Sequence, residues 1–141
     1  MGNIKEMAES LIENQGVCFL SAVDKNGYPS TKAMLAPRFR EGLQVFYLST
    51  NTNSAKVSQY RFNSKACLYF CDSKYYRGVT LQGTVEVLED KEIKHMVWNK
   101  GNTLFYPGGE DDPGYCILKF TSHIGRYYSN FQSWDFRIQN K

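Results

Sequence analysis

The sequence predicts a mainly β fold with helical attachments, an α+β protein in which six antiparallel strands or so close into a barrel. Three observations predict it. Aromatic residues make up 15% of the chain, with 10 Tyr and 9 Phe, and these types fit pleated, half-buried surfaces. Short apolar runs are separated by turn residues at hairpin-like spacing. Helical periodicity is confined to short stretches at the start of the chain and between strands. At 141 residues, 42% hydrophobic and 22% charged, the chain is sized for one domain with a real core and is too apolar for a disordered segment.

The elements follow in order. Ile4, Met7, Ala8, Leu11 and Ile12 recur at helical spacing over 4–14, and Gly16 ends that helix. The apolar run 17–23 is a buried strand. Asp24-Lys25-Asn26-Gly27 is a tight hairpin turn, and 28–36 is the return strand, with Pro29 near its start where a missing donor does least harm. Residues 37–42 form a charged turn and 43–48 a third strand. A polar stretch, Ser49 to Lys56, opens into a helix over 54–62, stopped by Asn63. Strands follow at 65–72 and 77–88, the second with Val79, Leu81, Gly83, Val85 and Val87 in period-two register. Gly83 in that register marks a bulge, a barrel bend or a close approach by something flat. Asp90 caps a helix reaching about Asn99. Residues 106–114 form a loop and 115–120 a sixth strand, which 124–128 continues or follows. For the aromatic and polar stretch 127–134, core packing is the first expectation, ahead of an exposed arm, a subunit contact or a pocket lid.

Several function classes are excluded by composition. Seventeen basic and fourteen acidic residues give +3, too weak a field for a nucleic-acid surface. The apolar runs are too short to cross a bilayer, and the N-terminus lacks a leader pattern, so a cytoplasmic protein is expected. Cys18, Cys67, Cys71 and Cys116 form no C-x-x-C pair, and with only His95 and His123 beside them a metal site is not expected. Four reduced, buried thiols are. No Ser-His-Asp or Cys-His nucleophile pattern is present.

The chemistry-bearing segment is 49–56. Small polar residues feeding a helix N-terminus offer backbone donors at the positive end of the dipole. Thr50 and Ser54 add hydroxyls and Lys56 adds a point charge, which together make a phosphate cradle without the glycine-rich Walker pattern. Asn51, Asn53 and Ser54 also suit plain helix capping. Lys32, on the return strand, faces either solvent or a ligand.

The order and spacing of these pieces resemble the FMN-binding split-barrel family related to pyridoxamine 5′-phosphate oxidase, in particular its short general-stress-protein branch. The resemblance runs over residues 4–128. It rests on the first helix, the strand 17–23, Asn26-Gly27-Tyr28-Pro29, Ser30-Thr31-Lys32-Ala33-Met34, Phe46-Tyr47-Leu48-Ser49-Thr50, Ser54-Ala55-Lys56, and Leu81 to Val87 before an Asp-initiated helix. It implies a six-stranded split barrel and a homodimer with FMN at the subunit interface. It places Lys32 near the flavin, the backbone of Ala33 and Met34 against the ring, Ser49, Thr50, Ser54, Ala55 and Lys56 at the phosphate, and Gln82 near the ring. Trp134 or Tyr128 is implied as an aromatic contribution from the partner chain. The function so implied is an FMN-dependent oxidoreductase of small molecules. A non-catalytic flavin-binding or flavin-sensing stress protein is the alternative, and related split barrels bind a deazaflavin or haem. The chain lacks the Arg-x-His motif near the C-terminus of the vitamin B6 oxidases, since neither Arg126 nor Arg137 has a histidine in that arrangement, which counts against pyridoxamine phosphate oxidation.

Overall fold

The computed structural model describes residues 3–37, 39–98 and 106–138. In chain order the elements are α1 (Ile4–Glu13), β1 (Val17–Val23), β2 (Pro29–Leu35), β3 (Phe39–Glu41), β4 (Val45–Asn51), α2 (Ala55–Phe62), β5 (Lys65–Asp72), β6 (Arg77–Leu88), α3 (Lys91–Val97), a 3₁₀ turn (Gly109–Asp111), β7 (Tyr115–Ser129) and β8 (Gln132–Arg137). The strands pair in the order β2-β1-β5-β6-β7-β4-β3, with β8 added along β7, and each pairing is antiparallel.

Period-two alternation decides which face is inside. Cys18, Leu20 and Ala22 of β1, Leu68 and Phe70 of β5, Val79 and Leu81 of β6 and Phe46 and Leu48 of β4 are buried in one cluster. Strands that lie far apart along the sheet therefore share a core, so the sheet curls around it. Phe46 sits at its centre, with ring centroids 5.8 Å from Phe70 and 6.1 Å from Phe120. The helix α1 closes the core through Ala8, Leu11 and Ile12. A second cluster on the opposite face of β4 joins Tyr47, Tyr115 and Ile117 to Val97 of α3.

Arg40 fastens α1 to β3. Its guanidinium donates to Glu9 at 2.8 Å and Glu13 at 2.7 Å, and also to the Gly42 carbonyl at 2.7 Å. Glu9 and Glu13 stand one helical turn apart, so both reach one planar fork. Their side chains are 42% and 63% exposed, so solvent screens the pairs. Arg40→Gln is expected to lower stability by about 1 kcal/mol, read from the urea midpoint, with a smaller difference in high salt.

The structure corrects some sequence expectations and decides between others. Among the described residues there are eight strands rather than six. The expected charged turn at 37–42 contains β3, whose three residues pair with Val45–Tyr47. The strand β7 runs unbroken through 124–128, and β8 returns along it. Asp90 stands at the N-cap of α3 without a side-chain capping bond, and the helix ends at Val97. The expected end near Asn99 lies outside the described residues. The first hairpin uses one left-handed residue, Gly27 at φ +85°, and is organised by Asp24, whose carboxylate accepts from the amides of Asn26 and Tyr28 at 2.9 Å each. All four cysteines are free, but Cys67 and Cys71 are half-buried rather than buried. Gly83 sits at a bulge where β6 shifts register against β7, and what approaches it closely is the β7 backbone. Among the described residues no cluster of His, Cys, Asp and Glu suits a metal ion, and no helix is long and apolar enough to cross a membrane.

Candidate functional site

A cleft of about 310 Å³ lies between β2 and β4. Lys32, Ala33 and Met34 line it from β2, and Ser49 and Thr50 from β4. These five residues, expected at a cofactor site, are brought together although β2 and β4 are five strands apart in pairing order. Among the described residues the strand β2 pairs with β1 alone, so alternate backbone amides and carbonyls along its outer side are outside the sheet pairing beside the cleft.

The other expected residues lie outside the cleft lining. Ser54 is the N-cap of α2, its hydroxyl accepting from the Val57 amide at 3.4 Å, so capping is its role in this structure. Ala55 begins α2. Lys56 is buried, at 4% exposure, and its ammonium donates to the carbonyl of Ser30 and to the Ser30 hydroxyl, the latter at 3.1 Å. Lys56 therefore bridges α2 to the start of β2, two residues from Lys32 on the strand. Its pKa is lowered, first by burial and then by repulsion from the Lys32 ammonium. Neither lysine makes an ion pair among the described residues, and the two ammonium groups are near enough for their charges to repel.

Gln82 is exposed on β6 and lines a separate groove with Ser21, Cys67 and Ile124. Trp134 is half-buried on β8, packed against Tyr127 with centroids 6.0 Å apart. Core packing thus holds for the two ends of 127–134 but not for its middle, where residues 130–133 are exposed at the turn from β7 to β8 and Phe131 is 93% exposed.

Sequence reasoning missed other parts of the cleft: Leu35 at the end of β2 and Pro37 beyond it, Tyr47 and Asn51 on β4, and Val97 and Tyr106 opposite. The Tyr106 hydroxyl donates to the Asn51 side chain at 2.7 Å, and its ring packs on Tyr115 at 5.0 Å. Burial raises the pKa of Tyr106, so its phenol remains a donor across the neutral range. The Tyr106-Pro107 dipeptide was legible as a loop, but its fold-back onto Asn51 has no local signal.

The family described as Pyridoxamine 5'-phosphate oxidase like matches residues 3–138, and the chain belongs to it. The fold is that family's split barrel. Among solved structures, a Clostridium acetobutylicum protein described as related to general stress protein 26 of B. subtilis, of the pyridoxinephosphate oxidase family, is similar at 37% identity and TM-score 0.89, over 98% of this chain and 96% of that one. General stress protein 26 from Bacillus anthracis str. Sterne shares the fold at 21% identity and TM-score 0.80, covering 96% of this chain and 99% of that one. A haem-binding protein from Mycobacterium smegmatis shares it at 14% identity and TM-score 0.75, over 94% of this chain and 57% of that one. Among curated proteins, the pyridoxine/pyridoxamine 5'-phosphate oxidase of Mesorhizobium japonicum is 33% identical over 89 residues, 63% of this chain and 42% of that protein. The chain thus matches less than half the length of that relative.

Proposed function

We propose that the chain binds FMN in the β2–β4 cleft and serves as a flavin-dependent oxidoreductase for a small molecule. The observation that carries this reading is the pairing of Lys32 with Lys56: two ammonium groups near enough to repel, neither of them ion-paired among the described residues, with Lys32 lining a cleft walled by an edge strand. Such a pair is suited to a dianion. The donors divide between the cleft lining and the segment behind it. Lys32, Lys56, the hydroxyls of Ser49 and Thr50 and the N-terminus of α2, with Ser54 and Ala55, serve the phosphate. The free backbone edge at Ala33 and Met34 serves the polar edge of the ring, and Leu35, Pro37 and Tyr47 give it apolar walls. Neither His95 nor His123, the two histidines of the chain, lines the cleft.

Bound flavin would supply the electron-transfer chemistry, and the protein's part is binding, orientation and exclusion of water. Lys32 and Lys56 fix the anionic tail. The backbone donors and acceptors of the β2 edge at Ala33 and Met34 would orient the ring. Tyr47 and Tyr106 narrow the mouth against solvent.

The working form in this reading is a homodimer. A cleft of about 310 Å³ is at the small end for a planar cofactor, so a second wall is needed. An apolar strip borders it: Leu35 is 82% exposed and pairs in register with the exposed Val17, and Phe19 pairs with Ala33 beside them. Gln82 and Trp134, which lie outside the cleft of their own chain, would then act on the partner's.

The direct test is the absorption spectrum of the purified protein with added FMN. A flavin spectrum that reductant bleaches, with a dimer by sedimentation, is expected. Protein that stays colourless and does not quench FMN fluorescence rejects the reading. Turnover of nicotinamide donors across a panel of acceptors separates an enzyme from a flavin carrier.

A further inference from the structure

We propose that the cleft continues past its phosphate end into a nucleoside subsite, so that the protein holds a flavin dinucleotide through both halves. This rests on the flavin reading of the cleft. The segment joining β4 to α2 has two sides. Ser49, Thr50 and Asn51 line the cleft, whereas Asn51, Thr52 and Asn53 line an open groove of about 600 Å³ behind it. Asn51 and Tyr106 belong to both, and their 2.7 Å hydrogen bond forms the sill between them. A group attached beyond a phosphate held at Ser49 and Thr50 would meet this groove across that sill.

The groove is built rather than incidental. Thr52 ties its two banks together, its amide donating to the Gly114 carbonyl at 2.9 Å and its hydroxyl to the Pro113 carbonyl at 2.8 Å. Asp112 is fixed by the amides of Gly108 and Gly114 at 2.9 and 2.8 Å, which hold its carboxyl below the usual range. The buried Lys94 props this turn from behind, donating to the Asp112 carbonyl at 3.0 Å.

The lining selects the ligand class. The Tyr106 ring with Pro107 and Pro113 offers flat apolar surface for a base. The Asn51 and Asn53 amides offer donors and acceptors to its edge. The Asp112 carboxylate, already ionised and oriented, accepts from vicinal sugar hydroxyls. No Lys or Arg lines the groove among the described residues, so it suits a neutral nucleoside rather than a second terminal phosphate.

The test is a fluorescence titration of the full chain with FMN and with FAD, for the wild type and for Asn53→Trp, which fills the groove from an exposed loop position. FAD is expected to bind wild type at least as tightly as FMN. Asn53→Trp is expected to weaken FAD at least fivefold while leaving FMN within twofold. Pro113→Trp fills the groove from the other bank and is expected to do the same, which guards against a local effect of either variant. FMN binding with FAD more than threefold weaker in the wild type overturns the subsite alone, as does an equal response of the two flavins to both variants. Failure of both flavins to bind the wild type overturns the reading of the cleft, and the subsite with it.

Discussion

Gly83→Ala is expected to destabilise the protein by about 3–5 kcal/mol, enough to unfold a marginal domain, and Gly83→Val by more. A Cβ at Gly83 would stand 1.9 Å from the Thr121 carbonyl oxygen and 2.8 Å from the Ser122 Cα, both backbone atoms. Relief requires β7 to move, and β7 is held from the other side. Thr121 pairs with Val45 of β4, the Ser122 amide donates to the Gln44 carbonyl at 2.8 Å, and the buried Ser122 hydroxyl donates to the Leu43 carbonyl. Here Gln82 opposes Ile124 while Gly83 opposes Ser122, so β7 carries one extra residue and bends toward β4. The bulge is what lets one long strand pair with both β6 and β4. Gly16→Ala is the control, since nothing lies within 4 Å of the Cβ it would add. It is expected to change stability by less than about 1 kcal/mol. Urea midpoints compare the two, and a Gly83→Ala protein as stable as Gly16→Ala would show that the β7 backbone yields freely.

The parts of this fold that sequence made legible are those where one face alone meets the core. The residues Val79, Leu81 and Val85 of β6 alternate cleanly because one side of the strand is buried. Elements at the sheet's margins gave weaker signals. The strand β3 is three residues long, Phe39-Arg40-Glu41, and reads as a charged turn because its pairing with β4, not its own apolar content, makes it a strand. In β8 the alternation survives only as half-buried Trp134 and Phe136 among exposed neighbours. The candidate site divides in the same way. Lys32, Ala33, Met34, Ser49 and Thr50 lie on two strands whose order was readable, and they meet in the cleft. Val97 and Tyr106 reach it by packing between distant segments, which leaves no local pattern. The burial of Lys56 was illegible for the opposite reason: a lysine in the first turn of a polar helix reads as solvated, and only the fold sets it against Ser30.

Lys56 is where the second large effect is expected. Lys56→Met keeps the aliphatic packing of the stem and removes the charge, and is expected to weaken FMN by about 1–3 kcal/mol, roughly fivefold to 150-fold, as charge-assisted bonds to the phosphate go unmade. Lys32→Ala is expected to cost less, because that ammonium is exposed and screened. Riboflavin, which lacks the phosphate, separates binding from folding: its affinity should be unchanged in both variants. The pH profile carries the same argument. Burial first, and Lys32 second, lower the Lys56 pKa, so the free protein favours neutral Lys56 at a pH where an ordinary lysine is still charged. In the free protein the charged form costs stability below that lowered pKa, and the cost is relieved as pH rises through it toward the ordinary lysine value. A bound dianion reverses the preference and draws the proton back. FMN affinity should therefore be greatest below the lowered pKa and fall as pH rises through it, earlier than ordinary lysine titration. Lys32→Ala removes one of the two causes of the shift and should move the fall to higher pH. Riboflavin affinity should be flat across the same window. An FMN profile that is equally flat, or identical in wild type and Lys56→Met, would remove Lys56 from the phosphate site and leave it as the strut between α2 and β2.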